Sequence, residues 1–360
     1  MAEKPKIGWA LIGYGGMGSW HVDNVRKQIP DIEFLGVYDI KEERQQRARE
    51  KGIHAYESRE ALLSDPRVQL VTIATTNEVH EEIAIDAMRH GKNVISEKPV
   101  TLSPESLERM IAVAEETGML FTVHQNRRWD WDYLCAKKII DDNTMGHVFQ
   151  IESRVHGSRG IPGDWRGIKK YGGGMVYDWG VHLFDQMLTL MGDRKLLSVY
   201  AQLTHVTVGE VDDGFRAIFK FEDDYSWLVE VLTNNFYSLP RWYLCGMNGS
   251  AVIKDWDCRG SITMVEDWEN KDALPIQAGA GLTKTMAPRG TDSIKEFPLP
   301  SDTKAWNDVV KSWSRFYENV VATIRGEETQ IVTWDQQRRL VKLIKAVLDS
   351  GESGEVIRFE

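Results

Sequence analysis

The sequence predicts an α/β chain in two parts: a doubly wound parallel sheet, then an α/β domain built on a large, open, mostly antiparallel sheet. Three observations carry this expectation. Short apolar runs alternate with helical stretches up to about residue 125, the rhythm of βαβ units. Longer β-rich runs joined by turn residues replace that rhythm after residue 145. A chain of 360 residues is also long for one core and comfortable for two. The first domain is expected over residues 1–125 and the second over 126–360, with the closing helices able to pack back on the first.

In the first part, "IGWALI" (7–12), "FLGVYD" (34–39), "LVTIAT" (70–75), "NVISE" (93–97) and "LFTVHQ" (120–125) read as buried parallel strands. Helical patterns lie between them at 16–28, 41–51, 58–64, 78–90 and 103–117. Ser103 with Pro104 reads as a cap followed by proline in the first turn. The second part offers strands at 147–156, 196–206, 215–221, 226–234, 241–247 and 261–266, with Asn248-Gly249 as a hairpin signal. A Pro- and Gly-dotted segment, 270–300, reads as a lid or an inter-subunit arm. Helices near 305–325 and 334–350 and a short strand, "EVIRF", close the chain.

Composition narrows the function. With 42% hydrophobic and 27% charged residues, the chain falls in the ordinary globular class. A net charge of −10 argues against nucleic acid and anionic membranes, which both call for clustered Lys and Arg. Cys135, Cys245 and Cys258 are widely spaced and form no CxxC pair, which suits free thiols in a reducing cytosol. The N-terminus shows no signal-peptide pattern and no run is long enough to span a membrane, so a cytoplasmic protein is expected. The 13 Trp residues suit core packing first and sugar-stacking platforms second.

The first strand runs into "GYGGMG", with Gly13, Gly15 and Gly18 in G-x-G-x-x-G spacing and Gly16 and Met17 inside the loop. Strand before and helix after give the spacing a mechanism. Glycines allow a tight turn and close backbone approach, and the helix N-terminus holds a pyrophosphate. Asp39, 21 residues after Gly18, ends the second strand where an acid would bond the adenosine ribose. That position favours NAD over NADP, although Lys41 and Arg44 nearby suit a 2′-phosphate. Thr75, Thr76, Asn77 and His80 follow the third strand and Glu97-Lys98-Pro99 the fourth, at the carboxyl edge where such sheets bind ligands.

The stretch "KYGGGMVYDWGVHLFDQ" (170–186) sets Asp178, His182 and Asp185 at spacings of four and three, one helical face, after a glycine run. A histidine satisfied by flanking carboxylates inside a core would produce the same pattern. A metal site would need further ligands, for which only His156 and His205 offer themselves, so no metal is expected.

Taken in order, "GYGGMG", "TTNEVH", "EKP", "HQNRRWD" and "GGGMVYDWGVHLFDQ" resemble the Gfo/Idh/MocA family of glucose–fructose oxidoreductases and inositol dehydrogenases, over essentially the whole chain. The resemblance implies a Rossmann domain, a C-terminal domain on an open sheet, and a homodimer or homotetramer formed through that sheet. It implies catalytic roles for Lys98, Asp178 and His182. It implies cofactor contacts at the glycine loop, Asp39, Thr75, Asn77, His80, Glu97, Lys98 and Asn126. Trp165-Arg166 resembles a pair that the family sets near the nicotinamide.

Oxidation of a secondary alcohol needs a base for the O–H proton, a hydride acceptor and a positive group for the developing alkoxide. His182 suits the base and Lys98 the charge. Asp178 would bind a neighbouring hydroxyl or steady His182, with Asp185 orienting the ring, and the glycine run would let backbone approach nicotinamide and sugar. Candidate substrate contacts are Lys98, Arg128, Trp129, His156, Trp165, Tyr177, Asp178 and His182. Mixed charges and many aromatics there fit a neutral sugar, glycoside or cyclitol oxidised at a ring hydroxyl. Two rivals keep the same fold. One is an NAD-dependent glycosidase working by transient oxidation and elimination; the other is a non-catalytic sensor of NAD or sugar.

Overall fold

The computed structural model describes residues 4–266, 268–269, 293–302 and 313–359. Most of the 270–300 segment and the start of the helix expected near 305–325, up to residue 312, lie outside the described residues.

Five strands form the first sheet: β1 (Ile7–Ile12), β2 (Ile32–Tyr38), β3 (Leu70–Ile73), β4 (Asn93–Ser96) and β5 (Phe121–Val123). Their order is β2-β1-β3-β4-β5 and every pairing is parallel. All six residues of β1 are buried, as expected of a central strand covered on both faces. The helices between strands are α1 (Gly16–Gln28), α2 (Glu42–Glu50), α3 (Arg59–Ser64), α4 (His80–Arg89) and α5 (Pro104–Thr117). Ser103 caps α5 as expected, its Oγ accepting the Ser106 amide at 3.2 Å. The strand order turns back at β1 and β3, so the carboxyl ends of these strands flank a crevice.

The second sheet holds nine strands among the described residues: β6 (Val148–His156), β7 (Leu196–Thr204), β8 (Gly214–Phe221), β9 (Ser226–Leu232), β10 (Trp242–Gly246), β11 (Gly249–Ile253), β12 (Gly260–Val265), β13 (Ile294–Phe297) and β14 (Ile357–Arg358). Among the described residues of this sheet, only β6 and β9 pair in parallel. The two faces differ. Along β8, Phe215, Ala217, Phe219 and Phe221 are buried while Arg216, Ile218 and Lys220 are exposed. Helices α6 (Trp131–Asp141), α7 (Val181–Met191) and α9 (Trp334–Ser353) supply Tyr133, Ile139, Leu183, Phe184 and Ile344 to the core on the buried face. Helix α8 (Ser314–Ile324) and α9 also reach back, with Phe316, Tyr317, Val320 and Val341 in the core of the first sheet.

Several elements differ from the sequence expectation. Helix α6 and strands β11 and β13 were not anticipated, the strands being only five and four residues long. The β10–β11 hairpin turns at Met247-Asn248, with Gly249 already in the strand. The tryptophans divide as well. Trp9, Trp227 and Trp242 are fully buried core residues whose indole N–H groups donate to Thr72, Ser153 and Asp132. Trp131 and Trp256 are exposed.

Candidate active site

The glycine loop is shaped for a dinucleotide. Gly13 has φ +98°, which only glycine holds comfortably, and a Cβ there would lie 2.4 Å from the Ala74 carbonyl oxygen. A Cβ on Gly18 would strike the Gly13 carbonyl, so this glycine serves strand–helix packing. Gly16 faces open space, and α1 starts there with Gly15 as its N-cap and no side-chain cap on its first amides. Uncapped N–H groups beside an open approach are what a pyrophosphate requires. Met17 sits beside them, partly exposed.

Asp39 is buried at the end of β2. Its Oδ2 accepts the Tyr14 amide at 2.7 Å and Arg44 at 3.1 Å, and Oδ1 accepts the Lys41 amide at 2.9 Å. A carboxylate has about four acceptor positions, which leaves one on Oδ1 for a ribose hydroxyl.

Behind the crevice, several residues of the motif set brace one another. His80 is buried with Nδ1 on the Pro99 carbonyl at 3.1 Å and Nε2 facing the Thr75 carbonyl at 3.4 Å, and burial lowers its pKa. Asn77 donates to the Tyr171 and Gly172 carbonyls, tying the first domain to the glycine run of the second. Glu97 accepts His21 at 2.7 Å and His124 at 2.8 Å on the same oxygen. These three are the one group of metal-type donors close enough to share an ion among the described residues. Both nitrogens nevertheless aim at a carboxylate oxygen at hydrogen-bond distance, the arrangement of a donor–acceptor network. Asn126 stands half-buried in the short turn after β5.

Lys98 leaves the turn after β4 and crosses to the second domain. Its Nζ donates to the Asp178 carbonyl at 2.8 Å and to Asp178 Oδ1 at 3.1 Å. The third N–H of the ammonium has no partner among the described residues. Arg166, stacked 4.7 Å over the Trp165 ring, donates through Nε to Asp178 Oδ2 at 2.8 Å. Burial pushes the Asp178 carboxyl up, but Lys98 and Arg166 outweigh it and hold the group below its usual range. Asp178 is therefore committed to two cations and does not steady His182.

His182 is buried, and its Nδ1 has no partner among the described residues. Burial first, then the charges of Lys98 and Arg127, hold its pKa well below the usual histidine value. The imidazole is neutral at pH 7, as a base must be. Its ring lies 6.1 Å from that of Trp179, which lies 6.0 Å from Trp256. Arg127 covers both indoles at 4.4 and 5.2 Å and pairs with Asp130 at 2.8 Å. Arg127 and Trp256 escaped the sequence reading. Trp256 comes from the β11–β12 turn and carries no local signal.

The glycine run has an intramolecular reason. A Cβ on Gly173 would lie 2.3 Å from the Arg166 carbonyl oxygen, and one on Gly174 (φ +104°) 2.1 Å from Asp212 Oδ1. The Asp212 carboxylate accepts the Val176 amide at 2.8 Å beneath the turn that carries Asp178, and burial pushes its pKa up to about 7. Val176–Gly180 is a π-helical turn, so Asp178 does not precede His182 by one α-helical turn.

Other expected residues stand apart. Arg128 is buried and grips Asp185 with two bonds of 2.7 Å, while donating to Ile331 and Gln336 of the closing segment. Asp185 thus orients Arg128 and not His182. Trp129 packs on the first core near Phe316. His156 lies in the second sheet with Nε2 on Glu230 at 2.8 Å and Nδ1 accepting the Leu239 amide. Tyr177 donates to the Leu102 carbonyl at 3.3 Å, and burial pushes its pKa up to about 12.

Comparison with known proteins agrees with this geometry. Residues 7–125 match the oxidoreductase family with an NAD-binding Rossmann fold, and residues 133–252 match the GFO/IDH/MocA C-terminal domain. An uncharacterized oxidoreductase of Schizosaccharomyces pombe is 30% identical over 85% of both chains. The scyllo-inositol 2-dehydrogenase (NADP(+)) of Bacillus subtilis is 25% identical over 99% of this chain and 96% of its own. The crystal structure of an NAD-binding protein from Listeria innocua superposes with a TM-score of 0.87 at 40% identity, covering 98% of this chain and 97% of the other. No helix among the described residues is long and apolar enough to cross a membrane. The chain is an oxidoreductase of the GFO/IDH/MocA family, with an NAD-binding Rossmann fold at its N-terminus.

Proposed function

We propose that the protein oxidises a ring secondary hydroxyl of a neutral sugar, glycoside or cyclitol, with His182 as base and Lys98 as the charge that steadies the alkoxide. The observation that carries this reading is the pairing of a neutral, buried His182 with an ammonium that keeps one N–H uncommitted. That N–H donates to the substrate oxygen as its proton passes to His182. Bound in the crevice, NAD supplies the acceptor for the hydride released from the carbinol carbon. Thr75, Asn126 and the Trp165-Arg166 pair would border the nicotinamide, and Asp39 with its remaining acceptor position favours NAD.

The surroundings support a neutral ring. Lys98 and Arg166 are offset by Asp178 and Asp164, and Arg127 by Asp130, so no cation cluster is left over for a phosphate. Trp179 and Trp256 offer faces to C–H surfaces beside the base. Assembly of copies through the exposed face of the second sheet, where Ile218 is 51% exposed, belongs to the same reading.

A substrate panel followed by NADH absorbance tests the proposal. Neutral cyclitols, pyranoses or glycosides are expected to give the highest kcat/KM. A sugar phosphate or an acyclic 2-hydroxy acid in first place would sink it.

A further inference from the structure

We propose that His21 and His124 are positioning residues, whose ring N–H groups pin the Glu97 carboxylate and, through it, the backbone from which Lys98 reaches the reacting oxygen. The inference rests on the reading of Lys98 given above.

Glu97 follows β4 with 5% of its surface exposed. A carboxylate so buried needs several donors, and it has three. His21 Nε2 donates to Oε1 at 2.7 Å, His124 Nδ1 to the same oxygen at 2.8 Å, and the Lys98 amide to Oε2 at 3.2 Å. Burial alone would push the carboxyl up, and the two imidazoles instead bring it well below its usual range. The last donor is the backbone of Lys98, so fixing the carboxylate fixes the turn at 97–98. From that turn the Lys98 side chain spans to Asp178.

The network also sets the tautomers. With Nε2 donating to Glu97, His21 Nδ1 is an acceptor, and the Tyr317 hydroxyl donates to it at 2.7 Å. His124 donates from Nδ1, and its Nε2 is buried without a partner among the described residues, so a second N–H would face no acceptor. The rings stand 4.6 Å apart, with Trp20, Phe316 and Tyr317 around them. Four elements meet here: α1, the ends of β4 and β5, and α8. His21 and His124 are fully buried and Glu97 nearly so, and the group's link toward the site is the Lys98 amide, so its influence on the reaction runs through Lys98.

Donor-mimicking variants separate this role from plain packing. His21→Gln keeps an N–H at the Nε2 position and His124→Asn keeps one at Nδ1, whereas His21→Leu and His124→Leu remove them at similar bulk. The Leu variants are expected to lower kcat on the best panel substrate about tenfold, and the mimics to stay within about threefold, as for support behind a positioned group. Combined with Lys98→Ala, the Leu variants should add little further loss. NADH affinity, read by fluorescence, should follow the same order with a smaller spread. Folded Leu variants with normal kcat would overturn the proposal. So would mimics that fall about tenfold, full additivity with Lys98→Ala, or a stoichiometric metal ion that is lost with His21→Leu. The mimics decide the matter even where a Leu variant does not fold. Normal kcat in Lys98→Ala would instead overturn the reading of Lys98, while inert clamp variants beside an inactive Lys98→Ala would overturn the clamp alone.

Discussion

Asp178 and Asp185 lie seven residues apart, both buried and both held by cations, yet they do different work. Asp185 meets Arg128 in a bidentate pair, and Arg128 places its remaining bonds on Ile331 and Gln336. That pair closes the fold: it joins the turn after β5, α7 and the segment leading into α9. Asp178 meets Lys98 and Arg166, and the Lys98 ammonium keeps a donor unused among the described residues, near a neutral His182. Saturated polar groups hold a structure together. Unsaturated ones, kept that way by a rigid surround, are where chemistry can occur.

Breaking the saturated pair should produce the largest effect. Arg128→Ala leaves a buried carboxylate without its cation and is expected to destabilise the fold by about 3–5 kcal/mol in urea unfolding. The protein that remains folded should keep most of its kcat. A loss under about 1 kcal/mol would mean that the pair is more solvated than it looks.

The unsaturated partner should behave in the opposite way. Lys98→Ala is expected to lower kcat by about 10²-fold or more with a modest change in urea midpoint, as for loss of a group that acts in the transition state. A purely structural Lys98 would show the reverse pattern.

The pH dependence sharpens the contrast. His182 has a folded pKa below its unfolded value, so the unfolded chain binds the proton first as pH falls. Its contribution to stability is present above about pH 6.5 and is lost as pH drops through the folded pKa. His21 and His80 shift in the same direction. The kcat/KM for oxidation should therefore hold steady from pH 8 down through about 6.5 and decline only below it. Arg127→Met removes one of the charges that lower the pKa and should move that acid limb upward. An acid limb above the ordinary histidine value in the unmodified enzyme would contradict a neutral His182.

The smallest effect concerns the cofactor. Asp39→Ala is expected to shift the ratio of NAD to NADP turnover by about tenfold toward NADP without abolishing activity, since Arg44 then loses its carboxylate partner. Higher turnover with NADP in the unmodified enzyme would reverse that assignment.

Much of this was legible in the sequence because it is written locally. The strand–helix alternation, the glycine loop, the Ser103 cap and the acid after β2 each depend on residues close together in the chain. The ordered motifs single out Lys98, Asp178 and His182 as candidates, and the structure brings Lys98 to Asp178 across 80 residues. The remainder depends on tertiary packing. The spacing of Asp178, His182 and Asp185 suggested one shared face, but a π-helical turn and Arg128 separate their partners. The glycine run looked like room for a ligand, whereas it makes room for Asp212 and the Arg166 carbonyl. A short turn after a strand gives no periodicity from which to tell that Arg127 covers Trp179 and Trp256 while its neighbour Arg128 turns to Asp185. Trp256 is not linked to Trp179 by any local signal, since nothing in the 76 intervening residues marks that contact.

Single-turnover formation of NADH, followed by stopped flow in the unmodified enzyme and in His182→Ala with NAD and substrate saturating, tests the central claim most directly. The hydride-transfer rate is expected to fall about 10²-fold or more while NAD affinity, measured separately, stays within about threefold. A rate close to that of the unmodified enzyme, or a loss explained by weaker NAD binding, would contradict the assignment of His182 as the base.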